Sequence, residues 1–203
     1  MRTLICLVLT ACTSAAAAPS VSAVRSVEAF HGLDVATVID VEVAIGPVVR
    51  VELRGPTEWV AKISTQVKDG VLRISLPNDS HHVPKLSALI TVPELTSVAV
   101  SGVAGVHVAK LAAKSFDVAI TGVGSVDLAG TADALNVEVS GTGQVMAKEL
   151  TASTAKLEVA GSGEVTIRAT KEVDANVSGV GDVTILGKPT VHEHVSGVAQ
   201  IHD

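Results

Sequence analysis

Glu164 and Asp182 close two similar phrases, AGSGE and SGVGD, 18 residues apart. If those phrases stack as neighbouring strands, the two carboxylates lie about 5 Å from each other. Such a pair can hold a hard cation or work as general acid and base. Glu138 and Glu158 make a second pair of the same kind. No further acid completes a calcium shell, and the GGxGxD nonapeptides of calcium-binding β-helices are missing. Like charges on a solvated edge account for both pairs. His192 and His194 have the spacing of two ligands on one strand face, and His202 is near them in the pattern. Three imidazoles suit zinc or copper. No companion carboxylate is obvious, so these three are weak metal candidates, and His81-His82 weaker still. The serines of the glycine phrases recur alike in several copies and have no paired His and Asp, as small corner residues do. The phrases lead into strands rather than helices, which excludes phosphate loops and dinucleotide motifs. The sequence therefore assigns no catalytic residue and no cofactor.

What positions these residues is an internal repeat. Six phrases align on Ser101, Thr121, Ser140, Ala160, Ser178 and Ser196, at spacings of 20, 19, 20, 18 and 18 residues. The next residue is always glycine: Gly102, Gly122, Gly141, Gly161, Gly179 and Gly197. Two further on stands Gly or Ala. A position that admits only glycine in six copies requires a positive φ or a close backbone approach, so the phrase is a corner. On either side, apolar residues alternate with polar ones. Val100, Ile120, Val139, Val159, Val177 and Val195 precede the corner, and Val106, Val126, Val145, Val165, Val183 and Ile201 follow it. A period of two is that of a strand with one buried face.

A strand, a corner and a second strand cannot bury an apolar face alone; stacked at roughly 4.8 Å they can. The expected fold is all-β: a parallel β-helix of about six 18–20-residue turns over residues 96–203, preceded by a β-rich region, 24–95, that caps or extends the stack. No helix is expected. Glu193 and Asp203 fall in columns that are apolar in earlier turns, which suits protection of a sheet end. Of 203 residues, 47% are hydrophobic but only 1% aromatic, so the core is built from small β-branched side chains. The shortage of aromatic platforms and the net charge of −6 argue against a nucleic-acid partner.

The first residues, MRTLICLVLTACTSAAAAPS, form an export signal over 1–18, with a tether at 19–23. Leu9-Thr10-Ala11-Cys12 resembles a lipobox, which makes Cys12 a candidate for lipidation and for attachment to a membrane. Cleavage near Ala18 gives a soluble product instead. The destination is the outer membrane or periplasm as a lipoprotein, or the exterior. The folded part holds no cysteine, which excludes disulfides and thiolate metal sites there.

The opening FHGLDVATVIDVEVAIG, the VKDGVLRIS turn, the VPEL that leads into the repeats, and the SGVG, SGTG and AGSG corners resemble the bacterial head GIN domain family, described as "putative auto-transporter adhesins". The resemblance implies a β-helical envelope protein without established catalysis, and no motif for a site. Where the family's corner carries a second serine, this chain has Val103, Val123, Val180 and Val198. Outward valines would form apolar patches in vertical pairs, which marks them as candidates for an interaction surface. The expected function is a non-enzymatic adhesion or interaction module facing an envelope protein or a glycan. The alternatives are a polysaccharide-active lyase or hydrolase, and a self-associating architectural protein. The inside/outside assignment has a direct test. Val159→Asp strands a charge in the stack and is expected to cost about 3–5 kcal/mol; an unchanged melting temperature would refute the assignment.

Overall fold

The computed structural model describes residues 20–77 and 83–202. The chain runs through β1 (Ser20–Arg25), β2 (Gly32–Ala36), β3 (Val38–Ile45), β4 (Arg50–Pro56), α1 (Thr57–Lys62), β5 (Ser64–Lys68), β6 (Val71–Ser75), β7 (Ser87–Val92) and β8 (Ser97–Val100). The repeats follow as β9 (Val103–Ile120), β10 (Val123–Val139), β11 (Thr142–Val159), β12 (Ser162–Val177), β13 (Val180–Leu186), β14 (Thr190–Val195) and β15 (Val198–His202). From β9 to β12 each strand begins just after one glycine corner and ends just before the next, bending once on the way. The six corners enclose five windings of a β-solenoid, its strands parallel and in register.

One wall of the solenoid is the run β1-β4-β7-β3-β9-β10-β11-β12-β13-β15, with β9 to β12 entering by their first halves. Nine steps of ~4.8 Å make that wall about 43 Å tall. The other wall pairs β5 with β6, β6 with β2, β2 with β8, and β8 with the second half of β9. The N-terminal region thus extends the stack, and its order is not sequential. The β2–β3 unit lies between β6–β7 on one side and β8–β9 on the other. Antiparallel β1, β4 and β5 close the far end. Strand β1 takes in residues 20–23 of the segment read as a tether.

The glycine corners resolve to close approach rather than positive φ, since none of the six is in the left-handed region. A Cβ on Gly161 would overlap the carbonyl oxygen of Gly141 one rung below, and Gly122, Gly141, Gly179 and Gly197 repeat the situation. That carbonyl is occupied. The N–H of Ser162 donates to Gly141 at 2.9 Å and that of Val180 to Gly161 at 3.0 Å. The first five corners also turn two successive N–H groups onto a single carbonyl, as Ala160 and Gly161 do onto Val139 at 2.8 and 3.1 Å. Positive φ appears instead at the second bend of the winding, at Lys110, Gly130 and Gly187.

The expected columns are inside. Val100, Ile120, Val139, Val159 and Val177 are buried, as are Val106, Val126, Val145, Val165 and Val183. The glycines at the third place after the anchor make room for the first of these columns: a Cβ on Gly124 would meet Val100 at 2.8 Å, and one on Gly143 would meet Ile120 at 2.9 Å. The last rung is looser. Val195 is 42% exposed. Glu193 stands over buried Ala175 and is itself exposed. Asp203 lies outside the described residues.

The absence of a helix does not hold. Thr57–Lys62 forms α1, with Glu58 in its first turn, Lys62 in its last, and Val60 buried. Six residues are too few for a periodic signal or for stability alone. Tertiary contacts hold them: Arg25 Nη2 donates to the Val60 carbonyl at 2.7 Å, and the Lys62 ammonium lies 5.0 Å from the Trp59 ring centre. Next to it, Glu52 on β4 accepts from Ser22 on β1 at 2.6 Å, from Arg54 at 2.9 Å and from Arg50 at 3.0 Å. These bonds, that from Ser22 first, lower its pKa from 4.5 to about 2.

Two outcomes follow. Gly161→Ala is expected to cost about 2–4 kcal/mol through collision with fixed backbone, while Ser162→Ala on the exposed side stays within about 0.5 kcal/mol in the same thermal melts. A depressed carboxylate stabilises the fold fully above its unfolded pKa, and that contribution fades as pH falls from about 4.5 towards 2. Stability of Glu52→Gln, followed by denaturant titration, should therefore fall less steeply over that window than that of the parent; equal slopes would show the cluster to be idle.

Candidate functional site

The corner that closes each winding also sets which side chains face out. The residue two places after the anchor points to solvent, the third points in and is Gly or Ala, and the fourth points out again. Register places Val38, Val103, Val123, Thr142, Ser162, Val180 and Val198 in one outward column. The valines are 42%, 50%, 52%, 58% and 75% exposed in that order. The four valines expected from the sequence are thus outward. Val38 joins them, and sequence reasoning missed it because its rung lacks the glycine phrase. Three valines in succession form one apolar ridge and two form another, with Thr142 and Ser162 between them.

Beside this ridge runs a groove of about 790 Å³. Its edge is Val38, Val103 and Val123; its floor is Ala104, Gly124, Gly143 and Gly163, with Val83 to Leu86 overhanging one end. The far edge is polar: Asp40, Ser125, Gln144 and Glu164. Lys85 reaches Asp40 at 3.9 Å, and the Gln144 amide donates to Glu164 at 2.7 Å. The floor is backbone, because the residues between the two outward columns point into the stack. An apolar edge, a bare floor and a polar edge make a surface that can grip an elongated partner along the stack.

The carboxylate pairs are adjacent in register, Glu164 with Asp182 and Glu138 with Glu158. Both lie on open sheet faces. Glu164 is engaged by Gln144, and Glu158 by Lys156 at 2.7 Å, a contact that raises the lysine's pKa. The three histidines do not converge. His192 and His194 are on β14, His202 on β15, and each strand belongs to a different wall. His202 meets Asp182 at 3.5 Å, and His192 meets Glu172 at 3.5 Å. Glu172, Asp174 and His192 place three ligand atoms within 4.8 Å of one another, all on exposed side chains. These companions were legible: stepping back one 18-residue turn from His192 reaches Asp174. Cys12 and His81-His82 lie outside the described residues. Among those described, no helix is long and apolar enough to cross a membrane.

Comparison with solved structures finds the same fold elsewhere. A putative adhesin from Bacteroides fragilis NCTC 9343 is 26% identical with a TM-score of 0.74, over 91% of this chain and 96% of that one. A putative adhesin from Parabacteroides distasonis ATCC 8503 is 18% identical with a TM-score of 0.48, over 91% and 97% of the two chains. A putative lipid binding protein from the same organism is 18% identical with a TM-score of 0.47, over 90% and 96%. The last two likenesses carry no further weight. No curated protein matches the chain. The profile described as "Putative auto-transporter adhesin, head GIN domain" matches residues 29–189, from the segment just before β2 to the bend after β13. That match spans most of the sequence, and the chain belongs to the head GIN domain family.

Proposed function

We propose that this chain is a non-enzymatic adhesion module and that the valine-edged groove is its contact surface. The observation that carries the reading is the family match over residues 29–189, whose description names an adhesin. The groove gives that description a physical surface, since exposed apolar ridges bordered by polar residues mark sites of association. The carboxylate pairs support the same side. They sit on open faces rather than in an enclosed, water-excluding cleft of the kind acid/base chemistry uses.

The export signal and Cys12 supply the location in this reading: a lipidated or secreted protein at the cell envelope. Cys12 precedes β1 by a few residues, and β1 lies at one extreme of a stack about 43 Å tall. The groove then stands along the side of the stack, clear of the anchor, and faces an envelope protein or a glycan.

Beads coated with the chain, tested on mucin-coated and polysaccharide-coated surfaces, are expected to be retained without releasing reducing ends. Val103→Ser with Val123→Ser should cut retention severalfold at unchanged melting temperature. New reducing ends or unsaturated products that vanish on Glu164→Gln or Asp182→Asn would overturn the reading and make the protein a polysaccharide-active enzyme.

A further inference from the structure

Seven rungs of the groove wall, β3, β9, β10, β11, β12, β13 and β15, present three outward columns. The first reads Val38, Val103, Val123, Thr142, Ser162, Val180, Val198. The second reads Asp40, Gly105, Ser125, Gln144, Glu164, Asp182, Gln200, and the third Glu42, His107, Asp127, Met146, Thr166, Thr184, His202. The first is nearly the same read in either direction. That property matters for one kind of partner above others, because a two-fold interface sets each residue of a patch against its mirror position in the same patch.

We propose that this face binds a second copy of the chain across a two-fold axis that runs along β11, through Thr142, Gln144 and Met146. The proposal rests on the reading of this face as the contact surface. Such an axis reverses the order of rungs and keeps strands aligned, the arrangement in which two sheets pack face to face about 10 Å apart. In the first column Val38 then faces Val198 of the other copy, Val103 faces Val180, and Val123 faces Ser162. In the second, Asp40 faces Gln200, Gly105 faces Asp182, and Ser125 faces Glu164. In the third, Glu42 faces His202 and Asp127 faces Thr166. No carboxylate is set against a carboxylate, although the columns together hold five of them.

Other placements do worse. Moving the axis half a rung towards β10 opposes Asp40 to Asp182. Moving it half a rung towards β12 opposes His107 to His202 and leaves Val38 unmatched. An axis along the stack sets Val38 against Asp40 and Val180 against Asp182, which strands charges on apolar surface. The overhanging segment Val83–Leu86 stands beside the first rung and so meets the last matched rung of the other copy.

Sedimentation velocity of the purified chain tests the proposal. The sedimentation coefficient is expected to rise with concentration from monomer to dimer. Ser125→Asp sets a like charge against Glu164 of the other copy and should weaken the dimer about tenfold or more, while Ser125→Lys should tighten it. Thr166→Asp, opposed to Asp127, serves as a second probe should Ser125→Asp lower the melting temperature. A monomer at every concentration, or changes of the same sign for the acidic and basic substitutions, would overturn the inference. The two readings separate in the bead assay. A monomeric chain whose retention on mucin still falls with Val103→Ser and Val123→Ser removes the second copy and keeps the contact surface; a monomeric chain indifferent to those substitutions removes both.

Discussion

Everything in this molecule depends on how closely backbone approaches backbone at the glycine corners. From Gly122 onward each corner glycine sits over the carbonyl of the one below, and that carbonyl receives the next N–H in the ladder. A parallel sheet packed only through columns of similar small side chains could slip by a residue and turn every side chain to the wrong face. Here it cannot slip, because only glycine fits the corner and the glycines must coincide. Register is therefore fixed by steric exclusion at one residue per turn. The buried valine columns add the stability that register makes available.

The same constraint creates the surface. A corner residue that must lack a side chain leaves the following one fully outward, whatever its chemistry. Family-type serines would make that column polar. Valines at four of its repeat positions convert a structural necessity into an apolar ridge, with Val38 of the N-terminal region in line with it. The glycines of the next inward column make room for Val100, Ile120 and Val139, and the backbone of that column is the floor of the groove. Packing inside and shape outside thus come from the same few positions. Charge is arranged separately, through the outward residues of the following column, where Asp40 stands at one end and Glu164 and Asp182 lie side by side towards the other.

Most of the solenoid was legible in the sequence because its spacing is nearly constant and its period is two. The inward columns, the corners and the outward valines could all be read by aligning six phrases. What could not be read lies where the repeat is absent. The N-terminal strands alternate clearly, but nothing in them shows that β2 and β3 are inserted between later elements, since pairing partners leave no local mark. Val38 and α1 were missed for the same reason: their conformations are set by neighbours distant in sequence. The histidines fell in between. Their positions relative to the 18-residue turn point to Glu172 and Asp174, yet the division of the last rung between two walls, which separates His202 from His192 and His194, requires the path of the chain.

The insertion of β2–β3 into the middle of the stack has a bearing on the order of assembly. The strands that flank it on both sides, β6–β7 and β8–β9, come later in the chain. A chain emerging from its N-terminus delivers this unit early, and every subsequent rung then has a formed edge to add to. Growth towards β15 needs only contacts between adjacent turns, about 20 residues apart, whereas β4 and β1 must wait for β7. The solenoid is therefore built outward from a seed in its interior, and damage to the seed should be more disabling than damage to any single repeat.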